Sequence, residues 1–192
     1  MSTFLAFLLS LSLTSAPKPT PFEAGTDLTI ELGWQNGASH TVDGVRLGIG
    51  MLTQRQGSRR WAYELSFVSG DDYCQRHDDR RYCDDQWAVY GFGGIQLDFP
   101  ISPDRKLFAS LTGGFFAGVS YWEDWYWDDN DVNDDDLAIM GGVMGKAALM
   151  YEFEKFRLGL GLFAGFGPSI GSESGLEIYF PVGLHFNFHF MF

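Results

Sequence analysis

The end of the chain alternates between apolar and mostly polar positions. From Leu176 to Phe192 all nine even-numbered residues are apolar, and the residues between them include Glu177, Asn187 and His189. A period of two is that of a β-strand whose two faces meet different surroundings. Nine apolar positions on one face need an extended apolar neighbour, and a bilayer supplies one. The pattern therefore predicts a strand between lipid and a polar interior.

The same alternation recurs in seven earlier segments. Their apolar faces run from Leu28 to Trp34, Val45 to Met51, Trp61 to Phe67, Trp87 to Phe99, Leu107 to Tyr121, Leu137 to Phe153 and Phe156 to Phe166. No residue on these faces is charged, although charged residues are 20% of the chain. A charge facing lipid at the midplane costs about 2–4 kcal/mol. We therefore predict an all-β fold, a single eight-stranded antiparallel up-and-down transmembrane β-barrel; a β-sandwich with one solvated face is the alternative.

The residues of opposite parity carry the charges. This lumenal set comprises Glu31, Arg46, Glu64, Asp98, Lys146, Glu152, Arg157, Glu177, His185 and His189. Because buried charges persist only when they are paired, we expect a satisfied polar network; a narrow gated ion channel or proton relay is the alternative. Eight strands enclose a space that side chains fill, so a general diffusion pore is not expected.

The N-terminal segment has the character of an export signal. Residues 4–13 form an apolar core of ten residues, too short to cross a membrane, and small residues follow at 14–16. We expect residues 1–24 to be a signal peptide, with the cut between about 16 and 24, and residues 25–192 to form the barrel.

The connections between the predicted strands alternate in length. The longer ones span residues 35–44, 69–86, 122–136 and 167–175, and the shorter ones span 53–60, 100–106 and 154–155. Long extracellular loops and short periplasmic turns are typical of bacterial outer-membrane barrels. The alternation predicts that location, with both termini in the periplasm.

Cys74 and Cys83 lie in one polar connection, between the third and fourth predicted strands. An even pair of cysteines in an exported protein indicates a disulfide. A metal site that also uses His77 is the alternative, although two cysteines and one histidine in an oxidising compartment make a poor site.

The connection from Trp122 to Asp136 holds eight acidic residues, four aromatic residues and no base. Oxygen ligands alternate in it at Asp129, Asp131, Asn133 and Asp135, which is compatible with Ca²⁺. The alternative is a solvated acidic loop that holds divalent ions loosely near lipopolysaccharide. The tryptophans favour an interface with headgroups or with a partner.

At this point the chain resembles the small eight-stranded outer-membrane barrels of the OmpA/OmpX type, over residues 26–192. The resemblance rests on strand count, loop alternation and the last strand. It implies that this strand carries the signal read by the outer-membrane assembly machinery. The residues that match the signal are Gly183, Phe186, Phe188, Phe190 and Phe192.

Catalysis is the other class of function. Some small barrels modify lipid A with a serine and a histidine, or with a histidine and acids, but the histidines outside the lumen are His40 and His77, in different loops. Ser39 is adjacent to His40, and side chains of adjacent residues diverge on an extended chain. We therefore expect no enzymatic activity, no cofactor beyond weakly bound Ca²⁺ and no nucleic-acid partner. The expected role is structural or interactive at the surface, through acidic loops that meet lipopolysaccharide, an extracellular ligand or a protein.

The acidic connection predicts weak Ca²⁺ binding. Without a glycine turn to preorganise the ligands, the Kd should fall near about 10⁻⁴–10⁻³ M. Titrating Ca²⁺ into the refolded protein should shift the emission of Trp122, Trp125 and Trp127. The double variant Asp131→Asn, Asp135→Asn should lose the shift, whereas Asp104→Asn, in a short turn, should keep it. An unchanged emission at millimolar Ca²⁺ would leave a plain acidic surface.

Overall fold

The computed structural model describes residues 26–38, 42–53, 59–70, 73–77, 80–126, 133–172 and 175–192. Nine strands follow one another in this part of the chain: β1 (Asp27–Ala38), β2 (Gly44–Leu52), β3 (Arg59–Gly70), β4 (Tyr73–His77), β5 (Arg80–Pro100), β6 (Leu107–Tyr126), β7 (Asn133–Glu152), β8 (Phe156–Gly171) and β9 (Gly175–Met191). Within these residues no helix is long and apolar enough to cross a bilayer.

Eight of the strands close into a barrel. Each pairs antiparallel with its neighbour, β1 also pairs with β9 (Asp27 opposite Met191), and β3 pairs with β5. The ninth strand, β4, pairs only with the beginning of β5, beyond the end of β3. The predicted eight-stranded antiparallel barrel is confirmed, with β4 as an addition to it.

The two faces of the strands point as the alternation predicts. Leu65, Phe115 and Phe186 are exposed on the outer surface, whereas Glu31, Arg46 and Lys146 are buried inside. The burial pattern of β3 alternates residue by residue from Arg59 to Ser69. An apolar exterior, with these charged side chains turned inside, suits a barrel whose outer solvent is lipid.

The strands extend further at the long-loop end than the alternation indicates. The predicted loop 122–136 is largely a ladder, because β6 continues to Tyr126 and β7 begins at Asn133. The predicted loop 69–86 contains β4 and the beginning of β5, and β1 and β8 run to Ala38 and Gly171. Aspartate and glycine are poor strand formers, so local propensity does not indicate these extensions. Backbone pairing with the neighbouring strand continues the ladder regardless.

The short connections that the structure describes in full, 100–106 and 154–155, form compact turns. Between β5 and β6 the amide of Arg105 donates to the carbonyl of Ser102 at 3.0 Å, and Arg105 has a φ of 58°. The Ser102 hydroxyl donates to the Asp104 carboxylate, which lowers the pKa of that exposed carboxyl below its usual value. The amide of Lys106 adds a second hydrogen bond at 3.2 Å. This turn lies at the same end of the barrel as Asp27 and Met191, the first residue of β1 and the last residue of β9. That end of the barrel is here called the turn end.

The outward orientation of Ile95 predicts a cost for burying charge in lipid. Ile95 lies on β5 between the aromatic residues Trp87 and Phe99, and Ile101 lies in the turn; their side chains are 41% and 55% exposed. In lipid vesicles Ile95→Arg should lower the free energy of unfolding by about 2–4 kcal/mol, and Ile101→Arg by about 0–1 kcal/mol. Denaturant titration measures both, and equal costs would contradict the orientation.

Candidate functional site in the barrel lumen

Four charged side chains meet near the middle of the lumen. Arg46 donates through Nη1 to Oε2 of Glu31 at 2.9 Å and through Nη2 to Glu64. Lys146 donates through Nζ to the same Oε2 of Glu31 at 2.9 Å and also to Glu64. Two cations and two carboxylates therefore form a closed, neutral group, here called the central cluster. Buried charges are tolerated when they are paired and hydrogen-bonded in this way.

The central cluster joins opposite walls of the barrel. Its acids and Arg46 come from the adjacent strands β1, β2 and β3, whereas Lys146 reaches across from β7. Gly48 on β2 leaves room for both acids, because a Cβ there would lie 3.0 Å from Oε1 of Glu64 and 3.3 Å from Cβ of Glu31. A larger residue at this position would displace the carboxylates.

Aromatic rings cover the cations of the central cluster. The guanidinium carbon of Arg46 lies 4.7 Å from the ring centre of Phe163, and Nζ of Lys146 lies 5.0 Å from that of Phe92. A cation over an aromatic face gains electrostatic energy without needing a counter-charge. The rings thus satisfy the faces of the cations that the carboxylates do not reach.

A second neutral group lies at the turn end of the lumen. Arg60 donates to Asp27 at 2.6 Å, and Arg157 donates to the same Asp27 oxygen at 3.4 Å. Arg157 also donates through Nε to Oε2 of Glu152 at 2.7 Å. These four residues, the turn-end cluster, again balance two cations with two carboxylates.

The loop half of the lumen is filled by apolar and aromatic side chains. Phe116 packs against Tyr90 and Tyr179, with ring centres 5.9 and 5.7 Å apart. The set, here called the aromatic plug, also includes Val42, Val68, Ala88, Phe92, Met140, Met144 and Phe163. Val42, Val68 and Tyr179 are 0% exposed, so no water-sized space touches them. The plug residues are therefore closely packed.

Hydrogen bonds tie the plug to the central cluster. Nε of Arg46 donates to the Tyr90 hydroxyl at 2.7 Å, and that hydroxyl donates to Gln35 at 3.1 Å. The Gln35 amide in turn donates to the hydroxyl of Tyr179 at 2.9 Å and to the carbonyl of Val42 at 3.0 Å. The plug is therefore held by a polar chain as well as by packing.

A small polar cavity of about 20 Å³ lies on the other side of the central cluster. Glu31, Gln96, Ser110, His185 and His189 are among its lining residues. Nδ1 of His185, Nδ1 of His189 and Oδ1 of Asn187 are buried without a hydrogen-bond partner, and Nδ1 of His185 lies 4.0 Å from Oε2 of Glu31. A cavity of this size holds about one water molecule, which these atoms could bind.

The structure separates the predicted lumenal set into groups. Glu31, Arg46, Glu64 and Lys146 form the central cluster, Glu152 and Arg157 belong to the turn-end cluster, and the two histidines line the cavity. Asp98 accepts from Gln96 at 2.9 Å, and Glu177 lies near the loop end of β9.

Sequence reasoning missed Asp27 and Arg60, and it missed the aromatic plug. Strand parity could have identified both ions. Asp27 stands at an odd position of its strand, as Glu31 does, and Arg60 stands at an even position, as Glu64 does. The plug gave no signal, since Tyr90, Phe116 and Tyr179 stand at positions expected to be polar.

The other predicted sites fall partly outside the described residues. Asp129 and Asp131 lie outside them, and the structure gives only the backbone of Asn133 and Asp135, in β7. Cys74 and Cys83 stand directly opposite each other in the β4–β5 register. Among the described residues no group of three or more His, Cys, Asp and Glu is arranged to hold a metal ion.

The fold is similar to that of known barrels. The crystal structure of Neisserial surface protein A matches 87% of this chain and 96% of its own, with a TM-score of 0.59 and 10% identity. That of a major outer membrane protein from Thermus thermophilus matches 87% and 99%, with a TM-score of 0.55 and 10% identity. No protein-family model and no curated protein sequence matches the chain. The likenesses show the fold, a small eight-stranded barrel of the outer-membrane type.

The charge balance of the central cluster predicts a coupling between its members. Glu64→Gln should lower the free energy of unfolding by about 3–5 kcal/mol, because it leaves an uncompensated buried cation. Adding Lys146→Met restores neutrality, so the double variant should lose less than the sum of the single changes. Denaturant titration in vesicles measures the cycle. Strictly additive losses would show that the charges do not act together.

Proposed function

We propose that the protein is an integral barrel of the bacterial outer membrane with a structural or surface-interaction role and no catalytic activity. The observation that carries the proposal is the closely packed aromatic plug above two charge-balanced ion clusters, inside a barrel with an apolar exterior. A lumen so filled offers no passage for solutes. The chemistry available to partners is then that of the two ends, above all the acidic loop end.

The distribution of charge supports an orientation with the loop end outside the cell. The net charge of the chain is −12, and eight of its acids lie between residues 122 and 136. The short turns instead carry Arg55, Arg59, Arg105, Lys106 and Lys155. Long loops face outward and short turns face the periplasm in barrels of this kind. Lipopolysaccharide, with divalent cations between its phosphates and these acids, is the proposed neighbour of the loop end.

Two features of the strands support finer parts of the proposal. Cys74 and Cys83 occupy opposite positions on paired strands, which brings their Cα atoms within the range that a disulfide spans. Gly183, Phe186, Phe188, Phe190 and Phe192 stand on or just after β9, the strand that closes the barrel against β1. We propose that Cys74 and Cys83 form a disulfide. We also propose that the glycine and the four phenylalanines of the last strand are recognised by the outer-membrane assembly machinery.

Surface accessibility tests the location and orientation. An epitope inserted after Asp129 should be detected by antibody on intact Gram-negative cells. The same epitope inserted after Pro103, in the β5–β6 turn, should be detected only after the outer membrane is opened. The reverse result would overturn the orientation, and absence of both from the outer-membrane fraction would overturn the location.

The close packing of the aromatic plug predicts an electrically closed barrel. In planar lipid bilayers the native protein should show no steady ion conductance. The double variant Phe116→Ala, Tyr179→Ala removes two plug rings and should raise the conductance. Phe115→Ala, one residue away but 73% exposed on the outer surface, should stay closed. Steady conductance of the native protein would favour the gated-channel alternative.

A further inference from the structure

The apolar outer surface has unequal height around the barrel. On β3 it is bounded by the exposed polar residues Arg59 and Ser69, ten residues apart. That is about 33 Å of strand and, at a tilt of about 40°, about 25 Å along the barrel axis, the usual height of a lipid-facing band. On β9 the outward positions are apolar for sixteen residues, from Leu176 to Phe192, or about 40 Å along the axis.

The excess lies at the loop end of β7, β8 and β9. Five aliphatic side chains there, the aliphatic crest, lie beyond the aromatic pair Phe166 and Phe180 and are 51–75% exposed. They are Leu137, Ile139, Ile170, Leu176 and Ile178. They adjoin one another, because Ile139 pairs with Ile170, and Ile170 pairs with Leu176. The crest is thus a continuous apolar surface across three strands.

A flat bilayer does not account for the crest. A lipid-facing band of about 25 Å, as measured on β3, does not reach the crest on β7 to β9. Tilting the barrel raises one wall and lowers the other, but it does not make a slab thicker on one side. The crest therefore stands in the polar layer above the hydrocarbon, where a contiguous apolar patch marks an interaction surface.

Charge selects the kind of partner. The β6–β7 extension beside the crest carries Glu123, Asp124, Asp134, Asp135 and Asp136 at successive ladder positions, here called the acidic ladder. The sequence has no Lys or Arg between Lys106 and Lys146, or after Arg157. A second copy of the chain carries the same acidic ladder and no Lys or Arg in these segments, so it offers no opposite charge to the ladder. A cationic segment with one apolar face is complementary to both features.

We propose that the aliphatic crest, beside the acidic ladder, is a docking surface for a cationic amphipathic polypeptide segment of another protein. The inference rests on the proposed function, since it needs the loop end outside the bilayer. An apolar face of the segment covers the crest, and its Lys or Arg side chains lie toward the ladder. This contact is favourable because it removes the apolar surfaces of the crest and of the segment from water. An acyl chain that already lies in hydrocarbon would gain no such free energy.

Spin labels test the position of the crest. In a Cys74→Ser, Cys83→Ser background, labels at Ile170→Cys and Leu160→Cys both lie on the outer face of β8. In phosphatidylcholine nanodiscs the Leu160 label should be accessible to oxygen, and the Ile170 label to a water-soluble nickel complex. Oxygen access at both would mean that hydrocarbon covers the crest and would overturn the inference alone. Nickel access at both would overturn membrane insertion, and the inference with it.

A peptide probe tests the partner. A fluorescent leucine–lysine amphipathic peptide of about 18 residues, five helical turns, should bind the nanodiscs above a protein-free blank and shield the Ile170 label. Ile139→Ser, Ile170→Ser, Ile178→Ser should weaken binding about tenfold or more, whereas Ile101→Ser should not. A leucine–glutamate peptide should not bind. Undiminished binding to the triple variant, equal binding of both peptides, or a stable dimer that shields the label without peptide would each overturn the proposal.

Discussion

Backbone hydrogen bonding in a medium without water is the constraint on which the structure depends. An unpaired amide or carbonyl in hydrocarbon costs several kcal/mol, so a sheet can cross a bilayer only if it has no edge. The pairing of β1 with β9 removes that edge, with Asp27 opposite Met191 and Gln35 opposite Gly183. This closure gives each strand an inward-facing and an outward-facing set of residues. It also brings the lumenal clusters together and places the short turns at one end of the barrel.

Closure creates a second requirement inside the barrel. The lumen of an eight-stranded barrel is narrow, and whatever points into it must be packed or paired. In the turn half and the middle the protein meets this requirement with two neutral ion clusters that share carboxylate oxygens between cations. In the loop half it does so with rings around Phe116, linked by Gln35 and Tyr90 to Arg46. Stability and closure of the lumen thus come from the same contacts.

The outside of the barrel is less uniform than the inside. One wall, at β1 to β3, has an apolar height that fits a membrane, and the other, at β7 to β9, rises beyond it. The β5–β6–β7 ladder also continues past the closed part of the barrel, and its acidic positions lie beside the taller wall. Because the lumen is filled, the loop end is the part of the barrel that is available for interaction. The taller wall and the acidic positions both lie on the β7 side of that end.

The sequence by itself determined the class of fold, the parity of every barrel strand and most of the ions in the lumen. It did so because a strand between lipid and lumen must alternate apolar and polar residues. Glu31, Arg46 and Lys146 each stand between two apolar, outward positions of their strands. Only the tertiary structure decided which ions meet, since Lys146 reaches Glu64 across 82 positions of the chain. It alone placed Tyr90, Phe116 and Tyr179 in one plug and extended β6 and β7 through an acidic stretch. Those outcomes depend on barrel registers and on pairing between distant strands, which no local pattern of residues encodes.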